Sequence, residues 1–200
     1  MEGRYTSRFS AVATAFVLSC TQQLATYATG DSLNKTIVVG SKTIPMSDAN
    51  LKTIEKVKNV GVTVYYPTFV PARFSLRSVT TEDSLKDKKH LDYGLQFCNK
   101  QHVCFTVETA YWGIGDAPDG DKILKGKSNS LGPFEINVFL PRGKQRLYYL
   151  SNWQPDKKMQ ESLAKKLDVP KSEGRFYHFV GEGVTDKEAM AIVESLSPVK

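Results

Sequence analysis

The residues with chemistry to offer are few. Cys98 and Cys104 enclose only Asn99-Lys100-Gln101-His102-Val103, so their thiols can close a small disulfide loop or, with His102, supply three of the four ligands that zinc takes. The missing fourth ligand sets the metal reading behind the disulfide. Asp116, Asp119 and Asp121 sit among glycines in the stretch 113–132 and could offer carboxylates to calcium. Their spacing is not that of an EF-hand loop, and no bidentate glutamate follows at the required distance. They stay weak candidates in a chain for which neither a metal nor a cofactor is expected. His90, His102 and His178 could serve as general bases, but no Gly-x-Ser-x-Gly elbow or comparable nucleophile motif accompanies them. The expectation is a protein that is not an enzyme.

The elements around the cysteines favour the disulfide. Leu91, Tyr93, Leu95 and Phe97 alternate with Asp92, Gly94 and Gln96, and Val103, Phe105 and Val107 alternate with Thr106 and Glu108. These are two amphipathic strands of a hairpin. By strand parity Cys98 shares the Asp92/Gln96 face and Cys104 the Thr106/Glu108 face, so both thiols leave the same, polar side. Such bonds persist in oxidising compartments, which points to export.

The N-terminus points the same way. Arg4 and Arg8 precede Phe9-Ser10-Ala11-Val12-Ala13-Thr14-Ala15-Phe16-Val17-Leu18-Ser19, an apolar run too short to cross a membrane stably. That is the order of a signal segment. Val17-Leu18-Ser19-Cys20 is similar to the bacterial lipobox, in which the cysteine is acylated and becomes the first residue; Leu18 is larger than usual at its position. Ordinary cleavage after Thr26-Tyr27-Ala28, giving a secreted soluble protein, is the alternative. Residues 1–20 are thus expected to be a lipoprotein signal segment, 21–35 a flexible polar tether, and 36–200 a single domain. The location implied is periplasmic or at the cell surface, with the membrane reached through the N-terminal lipid at Cys20.

Net charge is +6, and removing Glu2, Arg4 and Arg8 with the leader lowers it by one. The lysines are scattered and no arginine-rich cluster or docking motif is present, so nucleic acid is not an expected partner. A helix is predicted after Ser47, with Leu51, Ile54, Val57 and Val60 on one side. Strands are predicted near residues 36–39, 62–66, 74–80, 91–98, 103–110, 134–140, 147–153 and 175–180, and 113–132 as the longest irregular segment. Two further helices close the chain. The first carries Met159, Leu163 and Leu167 with a Glu161/Lys165 surface pair; the second opens on the capping box Thr185-Asp186-Lys187-Glu188 and buries Ala189, Ile192, Val193 and Leu196. The pattern is α+β, a curved antiparallel sheet of about six to eight strands with helices packed on one face.

Adjacent aromatics on a strand point to opposite faces, so Tyr65-Tyr66, Tyr111-Trp112 and Tyr148-Tyr149 place rings on both sides of the sheet. One ring per pair suffices for the core. The rest, with Trp153, either pack under helices or form a candidate surface for a ligand or partner.

Val64-Tyr65-Tyr66-Pro67, Pro71-Ala72-Arg73-Phe74-Ser75-Leu76, Trp153, Tyr177-His178-Phe179 and the ending Gly183-Val184-Thr185 through Glu188-Ala189 to Ser195-Leu196 carry a resemblance. They are similar to an uncharacterised bacterial domain of sporulation-type envelope lipoproteins and of the extracytoplasmic parts of some anti-sigma proteins, across residues 62–199. Residues 157–172 depart from that pattern. The resemblance implies no catalytic residues. Through distant similarity to half-barrel lipoprotein carriers it implies, at most, an apolar concave surface. The function expected is that of an envelope lipoprotein binding a protein or envelope component, or alternatively a lipid or other hydrophobic ligand on the concave sheet face.

Overall fold

In the computed structural model the described residues are 35–83, 91–110, 119–143, 146–154 and 175–200, together with Lys158, Glu161 and Lys165. All lie in the compact unit Ser32–Lys200. A hairpin comes first, β1 (Lys35–Val39) and β2 (Lys42–Met46), turned at Gly40 with φ +59°. Lys35, expected at the end of the tether, already belongs to β1.

Helix α1 (Asp48–Asn59) starts where Ser47 Oγ accepts the Asn50 N–H at 3.3 Å and stops before Gly61 at φ +81°. Ile54 and Val57 are its buried side chains, and Lys52, Lys56 and Lys58 face solvent, as the spacing predicts. Next come β3 (Tyr65–Pro67), β4 (Ser75–Asp83), β5 (Leu91–Cys98), β6 (Cys104–Ala110), β7 (Lys122–Ser128), β8 (Gly132–Phe139), β9 (Tyr148–Ser151) and β10 (Phe176–Glu182). Helix α2 (Asp186–Glu194) and β11 (Leu196–Pro198) end the chain.

Seven strands form one antiparallel sheet in the order β4-β5-β6-β10-β9-β8-β7, and β11 pairs separately with β3. The fold is α+β with a curved antiparallel sheet and its helices on one face. Register assigns that face. Leu76, Phe97, Phe105, Gly181, Tyr149 and Val138 lie in one row, with Val79, Leu95, Val107 and Phe179 in the next. Ile54 and Val57 of α1 and Ala189, Ile192 and Val193 of α2 join the same core. Aromatic rings knit it: Phe97 stacks on Phe105 at 4.9 Å, and Tyr65 meets Tyr177 edge-on at 5.3 Å.

Four aromatic side chains named above as a candidate surface are spent here. Tyr65, Tyr66, Tyr149 and Trp153 are 2%, 5%, 0% and 6% exposed and offer no ring to a ligand. The physical reason is supply: two helices leave much of the core face to be filled, and large rings from β3 and β9 fill it.

Two other expectations change. Residues 122–128, placed in an irregular segment, form β7, an edge strand that buries little besides Ser128 and so shows no alternation of apolar residues. Leu196, placed in the last helix, lies in β11, because the Ser195 hydroxyl turns back to the Ile192 carbonyl at 2.9 Å and the chain then pairs with β3. Lys158, Glu161 and Lys165 are helical and exposed. Among the described residues no helix is long and apolar enough to cross a membrane.

Candidate functional site

The Cys98–Cys104 disulfide forms across directly paired positions of β5 and β6, with the Cα atoms 4.2 Å apart. Asn99 shapes the turn between them. Its Oδ1 accepts the Gln101 and Val103 N–H groups at 2.9 and 3.0 Å, and His102 takes φ +60°. With both sulfurs in the bond, the zinc reading of Cys98, His102 and Cys104 falls; His102 Nδ1 lies 3.4 Å from Arg77 instead. Among the described residues no three His, Cys, Asp or Glu side chains converge on a metal position. Asp121 is occupied by Arg142 and by the Leu140 N–H, and Asp119 is exposed.

The sheet face opposite the helices is the surface with chemistry. One row crosses all seven strands: Ser78, Gln96, Thr106, Val180, Leu150, Asn137, Ile123. It changes character midway. On β4, β5 and β6 the side chains are hydroxyls, an amide and, two rows along on the same face, Glu82 and Asp92. On β10, β9, β8 and β7 they are Val180, Leu150, Asn137 and Ile123, with the Phe139–Tyr148 ring pair at 6.1 Å in the next row. Ile123 is 46% exposed, whereas Val180, Leu150, Phe139 and Tyr148 are half-buried.

Glu108 and His178 stand where the two halves meet. They are direct cross-strand partners between β6 and β10, and Gly94 is Glu108's partner on β5. Burial, then the charges of Glu82 and Asp92, push the Glu108 carboxyl above its usual range. Burial alone lowers the His178 imidazole to about 4, and among the described residues neither ring nitrogen has a hydrogen-bond partner. Desolvation thus keeps the imidazole neutral and makes the carboxylate reluctant to ionise. At neutral pH the imidazole offers one N–H donor and one bare nitrogen. His178 is only 1% exposed, so of the two it is the half-buried Glu108 carboxyl that reaches the surface of this face. The nearest hydroxyl in its row, Thr80 Oγ1, is turned to the Gly94 carbonyl at 3.5 Å.

Two flanking groups complete the charge pattern. Arg175 Nη1 donates to Asp92 Oδ1 at 2.8 Å, with side chains only 5% and 11% exposed. The Tyr148 hydroxyl is pushed up by burial and by the negative charges of Glu108 and Glu182.

Of the candidates named from sequence, Tyr148 and His178 therefore share this face. Cys20, His90, Tyr111, Trp112 and Asp116 lie outside the described residues. Glu108, Asp92 and Arg175 were missed. Parity puts Glu108 on the polar face, but no local signal pairs β6 with a strand so far along the chain. Elsewhere, an open cleft of about 650 Å3 lies between α1 and the β4/β5 strands, lined by Lys52, Glu55, Lys56, Asn59, Thr81 and Leu91; both signs of charge rim it.

The chain matches no protein-family model, no curated protein and no solved structure.

Proposed function

We propose that this is an exported envelope protein, anchored through lipid on Cys20, that acts by binding a protein or envelope component on the sheet face opposite its helices. The observation that carries the reading is the half-buried apolar strip Val180, Leu150, Phe139 and Tyr148 on the sheet face opposite the helices, divided from exposed Ile123 by Asn137. Contiguous apolar side chains on a surface mark contacts with partners. The disulfide supports export, since cytosolic thiols are kept reduced. Half-buried Glu108 at the border of the strip adds a polar anchor. Intact-mass measurement of the mature protein from its native host tests anchoring: a diacylglyceryl mass on a chain beginning at Cys20 is expected, and an unmodified chain beginning at Thr29 would overturn it. For the surface, Leu150→Asp should abolish co-sedimentation with envelope fractions while leaving the circular dichroism unchanged; retained co-sedimentation would remove the face from the proposal.

A second reading, a carrier of a lipid or other hydrophobic ligand, is favoured by the continuity of the same strip with the Phe139–Tyr148 ring pair. Native mass spectrometry distinguishes it: a lipid adduct lost in the Leu150→Asp variant supports the carrier, and protein free of adduct both before and after organic extraction rejects it.

A further inference from the structure

The two edges of the seven-stranded sheet are treated differently. At the β4 edge the register shifts between Leu76 and Ser78, a bulge that bends the strand, and helix α1 lies against it. Asn50 Oδ1 of that helix accepts the Val79 N–H at 2.9 Å. That edge is broken and partly capped. The β7 edge keeps its register: α2 packs on its core-facing side, where Lys122 pairs with Asp186, and no described strand lies beyond it. Its register with β8 runs unbroken from Lys122/Val138 to Ser128/Gly132, and Lys122, Ile123, Lys125 and Lys127 are exposed. In an antiparallel pair every second residue turns its N–H and C=O away from its partner, and among the described residues no strand or side chain takes those groups on β7.

The charges on β7 say which strand fits. Three lysines and no acidic residue occupy its seven positions. Two copies pairing edge to edge would set these lysines against one another, which is destabilising. An acidic strand meets the opposite situation. Lys127 has no ion-pair partner among the described residues, and the carboxylate matched to Lys125, Glu135 at 2.6 Å, is itself 56% exposed and open to competition. Ile123, Lys125 and Lys127 share the face opposite the helices, so an antiparallel strand would present two acidic side chains and then an apolar one to them.

We propose that β7 is a strand-addition site for an extended, acidic segment of a protein partner. Main-chain hydrogen bonds supply the attachment, and Lys125, Lys127 and Ile123 select the sequence. Asn137 divides Ile123 from the apolar strip around Leu150, and the site rests on the β7 main chain and lysines, independently of that strip.

The test uses the full mature chain and a short synthetic peptide, blocked at both ends, in which threonines alternate with Glu, Glu and Val. Amide hydrogen exchange read by NMR should show new protection confined to the β7 amides that face away from β8, declining as salt is raised. Lys125→Glu with Lys127→Glu should weaken binding about tenfold or more and transfer preference to a peptide carrying Lys in place of Glu. The exchange pattern of the remaining strands reports that the variant is folded, and Leu150→Asp should leave peptide binding unchanged. No protection on β7, equal protection by the acidic and basic peptides, or concentration-dependent pairing of two β7 edges without peptide would each overturn the proposal.

Discussion

His178 faces Glu108 directly across the β6–β10 ladder, and burial drives the two away from their charged forms in opposite directions along the pH scale. The sign of the resulting pH dependence follows from linkage. An imidazole lowered from 6.5 to about 4 binds fewer protons folded than unfolded between those values, so its contribution is complete above about pH 6.5 and is lost as pH falls towards 4. The size is on the order of 3 kcal/mol. Glu108, raised, works the other way: its folded state holds a proton longer and gains on the acid side what is lost as pH rises. Urea midpoints at pH 7 and pH 5 should therefore fall with acidity in the native protein, fall further in Glu108→Gln, and no longer fall but rise slightly in His178→Leu, where Glu108 acts alone. An unchanged slope in His178→Leu would mean that another group sets the acid limit.

Asp92 and Arg175 form a buried ion pair, and such pairs are costly to half-remove. Asp92→Ala removes that carboxylate from a buried guanidinium and should lower unfolding free energy by about 3–5 kcal/mol. The double change Asp92→Leu with Arg175→Met removes both charges and should cost clearly less than the single one. Denaturant titration of both variants checks the order; equal costs would show that the pair's charges do not depend on each other.

Much of this architecture is written locally. Ser47 and Thr185 announce their helices because a hydroxyl that caps an amide must sit just before the first turn, and both do so here. The β5/β6 hairpin and its disulfide are legible because the alternation Leu91, Tyr93, Leu95, Phe97 and the short Asn99–Val103 turn fix register without help from elsewhere. The site is different. Glu108 meets His178 only because β10 inserts between β6 and β9, a pairing decided by which rings fill the core and carried by no residue near either partner. Strand β7 was hidden for the converse reason: an edge strand with one core-facing leucine, Leu124, carries almost no apolar signature.

Gly181 and Gly126 both lie under neighbours, but the neighbours differ in what can yield. A Cβ on Gly181 would sit 2.4 Å from Phe105 Cβ and 2.5 Å from its Cα, where only backbone movement gives relief. On Gly126 it would meet Met190 Cε at 2.5 Å and Phe134 Cζ at 2.6 Å, the far ends of side chains that can turn. Gly181→Ala should therefore reach the upper part of the roughly 1–3 kcal/mol range of overpacking, and Gly126→Ala the lower part. Thermal unfolding of the two variants ranks them, and the reverse order would mean that α2 cannot shift over β7.

Removing the disulfide should weaken the fold without abolishing it. Cys98→Ser with Cys104→Ser releases a loop with a sequence separation of only 6, worth about 2 kcal/mol of unfolded-state entropy. The turn keeps its own support, since Asn99 Oδ1 holds two backbone amides and Asn99 N donates to the Val103 carbonyl at 3.0 Å. The serine variant should then keep a dispersed amide spectrum with a lower unfolding midpoint. Adding Asn99→Ala tests which of the two sets the register. In the disulfide-bonded protein the crosslink holds β5 against β6 and the alanine should cost about 1 kcal/mol, the ordinary value of a lost hydrogen bond. In the serine variant the same alanine should cost more, because the crosslink and the side chain support one turn and are not independent. Equal costs in both backgrounds would show that the hairpin is held by its packing rows alone.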